Sequence, residues 1–394
     1  MKKRIINLLF VLGIFLFLLA SFARTVFFSM EINEYENRKA QQLSPVRMQD
    51  YFDSTFQDSM EKSLTDQAYF AQNMKEAYNT VVSGYMRKVV SAAARINNDK
   101  YIKIGNHYLY GQDHLLSMKQ NFDIIKPKLD ARIREYNALF KKHPEQDFYL
   151  YYIETDMDNR FDTGASNDVY SYLSDKIALP DTHMDEFSVE SFEEYDRYFY
   201  KTDHHWNADG SYKAYGEVVR MLLSEDEPLL KPIETVSLSG YYGYFSGSKT
   251  MDTVTARFGE PFYAHRFAFL PMSVYGNDMR SPGYGNQELF LDGVSEKPLS
   301  YANFYGDDWG AVTIDTYQPE KETLLIIGES YDNAILRLLS THFDRVISID
   351  LRYFETYIGK KFSIEDCLEK YDIDKVMLIG CVDYFTRDEF SLEQ

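Results

Sequence analysis

The chain has 394 residues, enough for more than one compact core, and its 61 acidic against 42 basic side chains give a net charge of −19. That balance excludes nucleic-acid binding, which needs a basic footprint for phosphate contacts, and says nothing about the fold. Cys367 and Cys381, the two cysteines, form neither a disulfide framework nor a metal-ligand pattern and read as small buried apolar residues. The 33 tyrosines serve either ordinary packing or stacking platforms for sugar rings.

Lys2, Lys3 and Arg4 precede an apolar run from Ile5 to Ala23, long enough to cross a ~30 Å hydrocarbon core as a helix. Glu31, Glu34 and Glu36 follow, so the charge asymmetry leaves the N-terminus inside and the remainder outside. We read residues 1–30 as an uncleaved membrane anchor. A cleaved signal sequence using the small Ala20 and Ala23 is the alternative, which would make the chain secreted. Either way the bulk of the chain lies outside the cytoplasm. Over residues 31–97, Tyr51, Phe52, Phe56, Met60 and Leu64 recur at roughly helical spacing and predict a polar helical stalk or cap.

The remainder, 98–394, reads as one α/β domain. Ile102–Gly111 predicts a hairpin turning at Gly105-Asn106. A helix is expected after Pro127, with Leu129, Ile133, Tyr136 and Phe140 on one face. Four doubly apolar segments, Asp147–Ile153, Thr323–Gly328, Arg345–Asp350 and Lys375–Gly380, predict strands buried on both faces. Helical patterns at Tyr331–Ser340 and Ser363–Tyr371 separate the last three, and Ser363 with Asp366 marks a capped helix start. Such alternation implies a mostly parallel sheet with helices on both faces. The Gly-, Tyr- and Ser-rich stretch at about 231–322 has no clear period and is expected to be an irregular insertion of strands and long loops over the sheet's edge.

Two short motifs carry chemistry. Ser330 follows a buried strand and opens a helical pattern, a turn that would project its hydroxyl beyond the strand ends and aim helix amides at the same point. Taken alone, such a serine is equally a helix N-cap. Thr202-Asp203-His204-His205-Trp206 supplies the missing parts of an activated nucleophile. A hydroxyl needs an imidazole to take its proton, and the imidazole needs a carboxylate to hold its tautomer. Asn207 then caps a helix whose buried face is Tyr212, Tyr215, Val219 and Leu222, pinning the motif loop. Adjacent histidines are expected to point apart, and no further His or Cys stands at ligand spacing, so no metal site is assigned.

Asp-His-His-Trp followed by Asn207, Gly210 and a Tyr-containing helix resembles the bacterial DHHW family, grouped with the SGNH-hydrolase-like proteins that O-acetylate alginate and other exopolysaccharides. Glu36-Asn37-Arg38, Asp66-Gln67, Tyr301–Asp308 and Ser348–Tyr353 look like further landmarks of that family. The resemblance implies an SGNH-hydrolase-like (flavodoxin-like) α/β fold in a circularly permuted order, with Asp203 as the carboxylate, His205 as the base and Ser330 as the nucleophile. Gly306, Asp308, Tyr331, Arg352 and Trp206 are the neighbouring candidates for oxyanion or substrate contact. Two departures stand out. Glu329 replaces the usual Asp and, one methylene longer, is expected to disturb the serine turn; Asp308 stands where an Asn is common and would repel an oxyanion.

These readings converge on an extracytoplasmic, serine-dependent O-acetyltransferase or acetylesterase acting on a cell-surface polysaccharide, without a cofactor. The resemblance implies a membrane-bound O-acyltransferase as the acetyl supplier. The alternative is a non-catalytic glycan-binding or scaffold component of the same modification complex.

Overall fold

The computed structural model describes residues 2–30, 32–33, 38–43, 55–71, scattered positions from 73 to 92, 101–104, 107–110, 114–159, 168–241, 243–247, 260–277, 281–282, 287–295, 299–306 and 308–392. Glu31, Glu34, Glu36, Asn37, Tyr51, Phe52, the Gly105-Asn106 turn and Asp307 lie outside the described residues. The chain divides into two compact units, 1–99 with 245–258, and 100–244 with 259–394.

In the first unit, helix α1 (Lys2–Phe27) contains a stretch, Arg4–Phe27, long and apolar enough to cross a membrane or to serve as a signal sequence. Helix α2 (Thr55–Gln67) ends on the Asp66-Gln67 pair, and both side chains are buried. The Gln67 amide brackets Met30, accepting from its N–H at 2.6 Å and donating to its carbonyl at 2.9 Å, while Asp66 accepts from the Gln41 N–H at 2.8 Å. The pair thus ties the segment after α1 onto α2, because buried amide groups must find partners.

The second unit opens with an antiparallel three-stranded sheet, β1 (Tyr101–Ile104), β2 (His107–Tyr110) and β3 (His114–Ser117). The first two strands fit the hairpin reading; the third was not legible. Helix α3 (Phe122–Lys142) starts five residues before Pro127, capped by Asn121, whose side chain accepts from the Asp123 N–H at 2.9 Å. Pro127 sits in the second turn and forfeits one intrahelical hydrogen bond, which this long helix tolerates. Leu129, Ile133, Tyr136 and Phe140 are all buried, as their spacing requires.

The remaining strands are β4 (Asp147–Ile153), β5 (Met184–Phe187), β6 (Glu234–Tyr241), β7 (Glu260–Arg266), β8 (Ser273–Gly276), β9 (Ser281–Pro282), β10 (Ala311–Asp315), β11 (Thr323–Gly328), β12 (Arg345–Asp350) and β13 (Lys375–Cys381). Eight form one sheet in the order β9-β8-β10-β12-β11-β13-β4-β5. From β12 to β5 every pair is parallel, and these include all four doubly apolar segments. Successive residues alternate between two cores. Tyr149, Tyr151, Leu324, Ile326, Met377 and Ile379 face one, and Phe148, Leu150, Tyr152, Leu325, Ile327 and Leu378 face the other. Burial on both faces is why these strands read as continuous apolar runs, each buried Leu or Ile contributing roughly 1.5–3 kcal/mol.

The stretch read as irregular strands and long loops supplies antiparallel strands β8, β9 and β10 to this sheet, and the separate pair β6–β7. Helix α4 (Ala208–Leu222) follows the Asp-His-His-Trp motif, and Asn207 caps it by accepting from the N–H groups of Asp209 and Gly210.

Candidate active site

Ser330 lies just beyond the carboxyl end of β11, half-buried. The segment after it differs from the expected helix. It is helical only in short pieces, 3-10 turns at Asp332–Ala334 and Ser340–His342 around an α-helical turn at Leu336–Leu339. The chain doubles back tightly there: the Asp332 N–H donates to the Glu329 carbonyl at 2.9 Å, and the Asp332 carboxyl tucks inward to accept from the Ser348 hydroxyl at 2.9 Å. Gly328 permits this, since a Cβ there would lie 2.6 Å from the Asp332 carboxyl oxygen. Among the described residues the N–H groups of Ser330 and Tyr331 have no hydrogen-bond partner.

Glu329 does not disturb this turn. Its side chain is buried away from Ser330 and accepts the Cys381 N–H at 2.7 Å, so the extra methylene is used to reach the end of β13. Burial raises its pKa, opposed by the Arg352 charge and the Cys381 donor.

The Asp203–Trp206 loop meets this turn. His205 Nε2 lies 2.8 Å from Ser330 Oγ, and His205 Nδ1 lies 2.7 Å from Asp203 Oδ1. With the proton on Nδ1, as the carboxylate dictates, Nε2 is left as the acceptor for the serine hydroxyl. Burial disfavours an ionised Asp203, but the charge and hydrogen bond of His205, the His204 ring and the Tyr241 hydroxyl outweigh it and hold the carboxyl well below the usual range. Tyr301 stacks on the His205 ring, centroids 3.9 Å apart and planes within 8°. The loop itself is pinned by backbone pairs, Tyr200 N–H to the His205 carbonyl at 3.1 Å and Asn207 N–H to the Tyr198 carbonyl at 2.7 Å.

The histidines do not point apart. Both rings turn toward the same buried carboxylate, with centroids 4.0 Å apart and His204 Nδ1 3.3 Å from Asp203 Oδ1. Burial lowers the His204 pKa to about 3, helped by the neighbouring His205 and Arg352 charges and opposed by Asp203. Asp203, His204 and His205 thus bring donor atoms within 4.8 Å of one another. Both Asp203 oxygens and both His205 nitrogens are already engaged, so a metal ion would have to displace those hydrogen bonds.

The flanking candidates divide. Trp206 is fully buried, edge-on to Phe187 at 5.6 Å and to Tyr331 at 5.3 Å, so it anchors the loop and does not face a substrate. The Tyr331 ring is also buried, and its hydroxyl donates to the His204 carbonyl at 2.7 Å. The Gly306 N–H is taken by the Ala302 carbonyl at 3.0 Å, which corrects its reading as an oxyanion donor; its φ of +127° is what calls for glycine. Asp308 lies 3.7 Å from Arg352, which also chelates Asp350 through Nε at 3.0 Å and Nη2 at 2.6 Å. The Asp308 carboxylate therefore shares one cation with Asp350. Tyr241, Tyr244, Glu260 and the stacking role of Tyr301 escaped sequence reading, because each meets the motif from a position at least 38 residues away.

With this geometry in view, similarity to solved structures is informative. A DHHW family protein from Eubacterium siraeum superposes with a TM-score of 0.57 at 16% identity, over 74% of this chain and 96% of that one. Bacillus cereus PatB1 gives 0.54 at 16% identity, over 74% of this chain and 99% of that one. The chain shares their fold. PatB1 has also been solved with a sulfonyl adduct. The O-acetyltransferase domain of Pseudomonas putida AlgJ aligns at a TM-score of only 0.39 and 13% identity, over 73% of this chain and 92% of that one, too distant for a structural argument. No protein-family description matches the chain, and no curated protein does.

Proposed function

We propose that this protein is a serine-dependent acyl-transfer enzyme, an O-acetyltransferase or acetylesterase that works on a cell-surface polysaccharide outside the cytoplasm. The observation that carries the reading is the unbroken hydrogen-bond chain from Ser330 through His205 to Asp203, with successive distances of 2.8 and 2.7 Å. In the cycle, His205 takes the Ser330 proton as Oγ attacks the acetyl carbonyl, and Asp203 stabilises the imidazolium that forms. The donor's leaving oxygen departs with that proton, leaving an acetyl-serine. A sugar hydroxyl or water, deprotonated by His205, then attacks the acetyl carbon and restores Ser330. The Ser330 and Tyr331 amides are the donors we assign to the developing oxyanion. The apolar α1 supports attachment to a membrane, where a membrane-bound O-acyltransferase would supply acetyl groups.

The full-length chain in detergent should hydrolyse p-nitrophenyl acetate and gain the mass of one acetyl group on Ser330 in the absence of an acceptor. A sulfonyl fluoride should label the same serine, and Ser330→Ala should abolish both adducts. Binding of acetylated glycan without any ester turnover or serine adduct would favour the scaffold reading instead.

A further inference from the structure

Asp203 Oδ1 faces His205, but a different part of the chain occupies Oδ2. The Tyr241 hydroxyl, at the end of β6, donates to Oδ2 at 2.6 Å, and the Tyr244 N–H donates to it at 2.8 Å. The same element grips the residues just before Asp203. Glu260, opening β7, accepts from the Lys201 N–H at 3.0 Å, the Thr202 N–H at 2.8 Å and the Thr202 hydroxyl at 2.6 Å. Gly243 donates its N–H to Thr202 Oγ1 at 3.1 Å and comes so close that a Cβ would lie 2.3 Å from the Thr202 carbonyl oxygen.

We propose that the β6–β7 sheet is a positioning element for the catalytic carboxylate and that Tyr241 is its point of contact. The inference rests on the acyl-transfer reading and extends it to residues outside the nucleophile–base–acid set. The physical case is one of occupancy. A buried carboxylate with an empty lone-pair region rotates or takes up a proton to satisfy it. Two donors on Oδ2 leave Oδ1 for His205 Nδ1, which fixes both the imidazole tautomer and the direction of Nε2 toward Ser330. Tyr241 keeps its proton throughout, because burial and the adjacent Asp203 charge push its phenol well above the ordinary range. The groups that face it are Asp203, Glu260 and Tyr200, whose ring centre lies 4.7 Å away.

Tyr241→Phe removes one oxygen and no ring volume. In the full-length chain it should lower kcat for p-nitrophenyl acetate on the order of 10–100-fold, as small misplacements of catalytic groups do, with KM nearly unchanged. It should also move the far-downfield proton resonance of His205 Nδ1–H, which reports the Asp203 contact whether or not the protein turns over substrate. Site-specific 3-fluorotyrosine at 241 retains shape and hydroxyl but donates more strongly, and should move that resonance the other way. A resonance unmoved in both variants overturns the proposal, whatever the rates do. Should the wild type lack ester turnover, the acyl-transfer reading fails, and the resonance still decides whether Tyr241 positions Asp203.

Discussion

His205 and His204 are chemically identical neighbours with different tasks, and the reach of His205 to Ser330 makes the difference. His205 bridges Asp203 and Ser330, whereas His204 reaches the same Asp203 Oδ1 more distantly, at 3.3 Å, and stays neutral, its pKa lowered to about 3 by burial. His205→Ala should therefore cost ~10³-fold or more in ester hydrolysis, the scale of losing a whole triad, while His204→Ala retains most of the rate. Stopped assays on both variants check this, and equal losses would show that the two rings share the work. Because a general base acts only when neutral, the wild-type rate should rise with pH and then level off. A rate that falls across the same interval would argue against His205 as base.

At the scale of elements, the serine turn depends on β11 and the histidine loop on α4, but close backbone approaches set how the pieces meet. Gly243 is the sharpest case. Its missing Cβ lets the chain just after β6 rest on Thr202, where a Cβ would lie only 2.7 Å from the Asp203 Cβ. Gly243→Ala should force the two loops apart, lowering stability by roughly 1–3 kcal/mol, the range for overpacking, and displacing Asp203. Thermal melts and kcat should fall together; a variant unchanged in both would mean that the loop relaxes freely.

Across the whole molecule, buried carboxylates make stability depend on pH. Burial raises Asp158 to about 7 despite donors from Tyr152 and Thr155, and raises Asp156 and Asp350 to about 6 despite theirs. Between the ordinary carboxylate range and these values the folded chain holds protons that the unfolded chain has lost, so stability declines as pH rises. His204 acts in the opposite sense, since the unfolded ring binds a proton below about 6.5 that the folded one refuses. Among the described residues seven raised carboxylates, Asp156, Asp158, Asp185, Glu260, Glu329, Asp332 and Asp350, stand against three lowered imidazoles, His107, His204 and His342, so the melting temperature should fall from pH 5 to pH 8. Asp158→Asn should flatten that slope, and a parallel curve for the variant would remove Asp158 from the account. The membrane end makes a separate expectation: the intact mass of chain extracted from membranes should retain α1, whereas an N-terminus near residue 24 would show that the segment is cleaved.

Much of this was legible locally. Strands β4, β11, β12 and β13 announce themselves because a strand buried on both faces must be apolar at every position, and α3 and α4 because one helical face must be. Asp203, His205 and Ser330 stood out because the Asp-His-His-Trp motif supplies the base and carboxylate that a lone turn serine lacks. The chain alone also determined the apolar length of α1. Tertiary structure decided the rest. Only packing could show that Glu329 reaches Cys381, that Gly306 has no N–H to offer, or that Trp206 and Tyr331 are buried supports. Above all, the clamp from Tyr241 and Glu260 onto residues 201–203 links positions 38 to 59 residues apart. Antiparallel edge strands and side-chain hydrogen bonds of that span leave no period or spacing in the sequence, because their geometry exists only once the chain has folded.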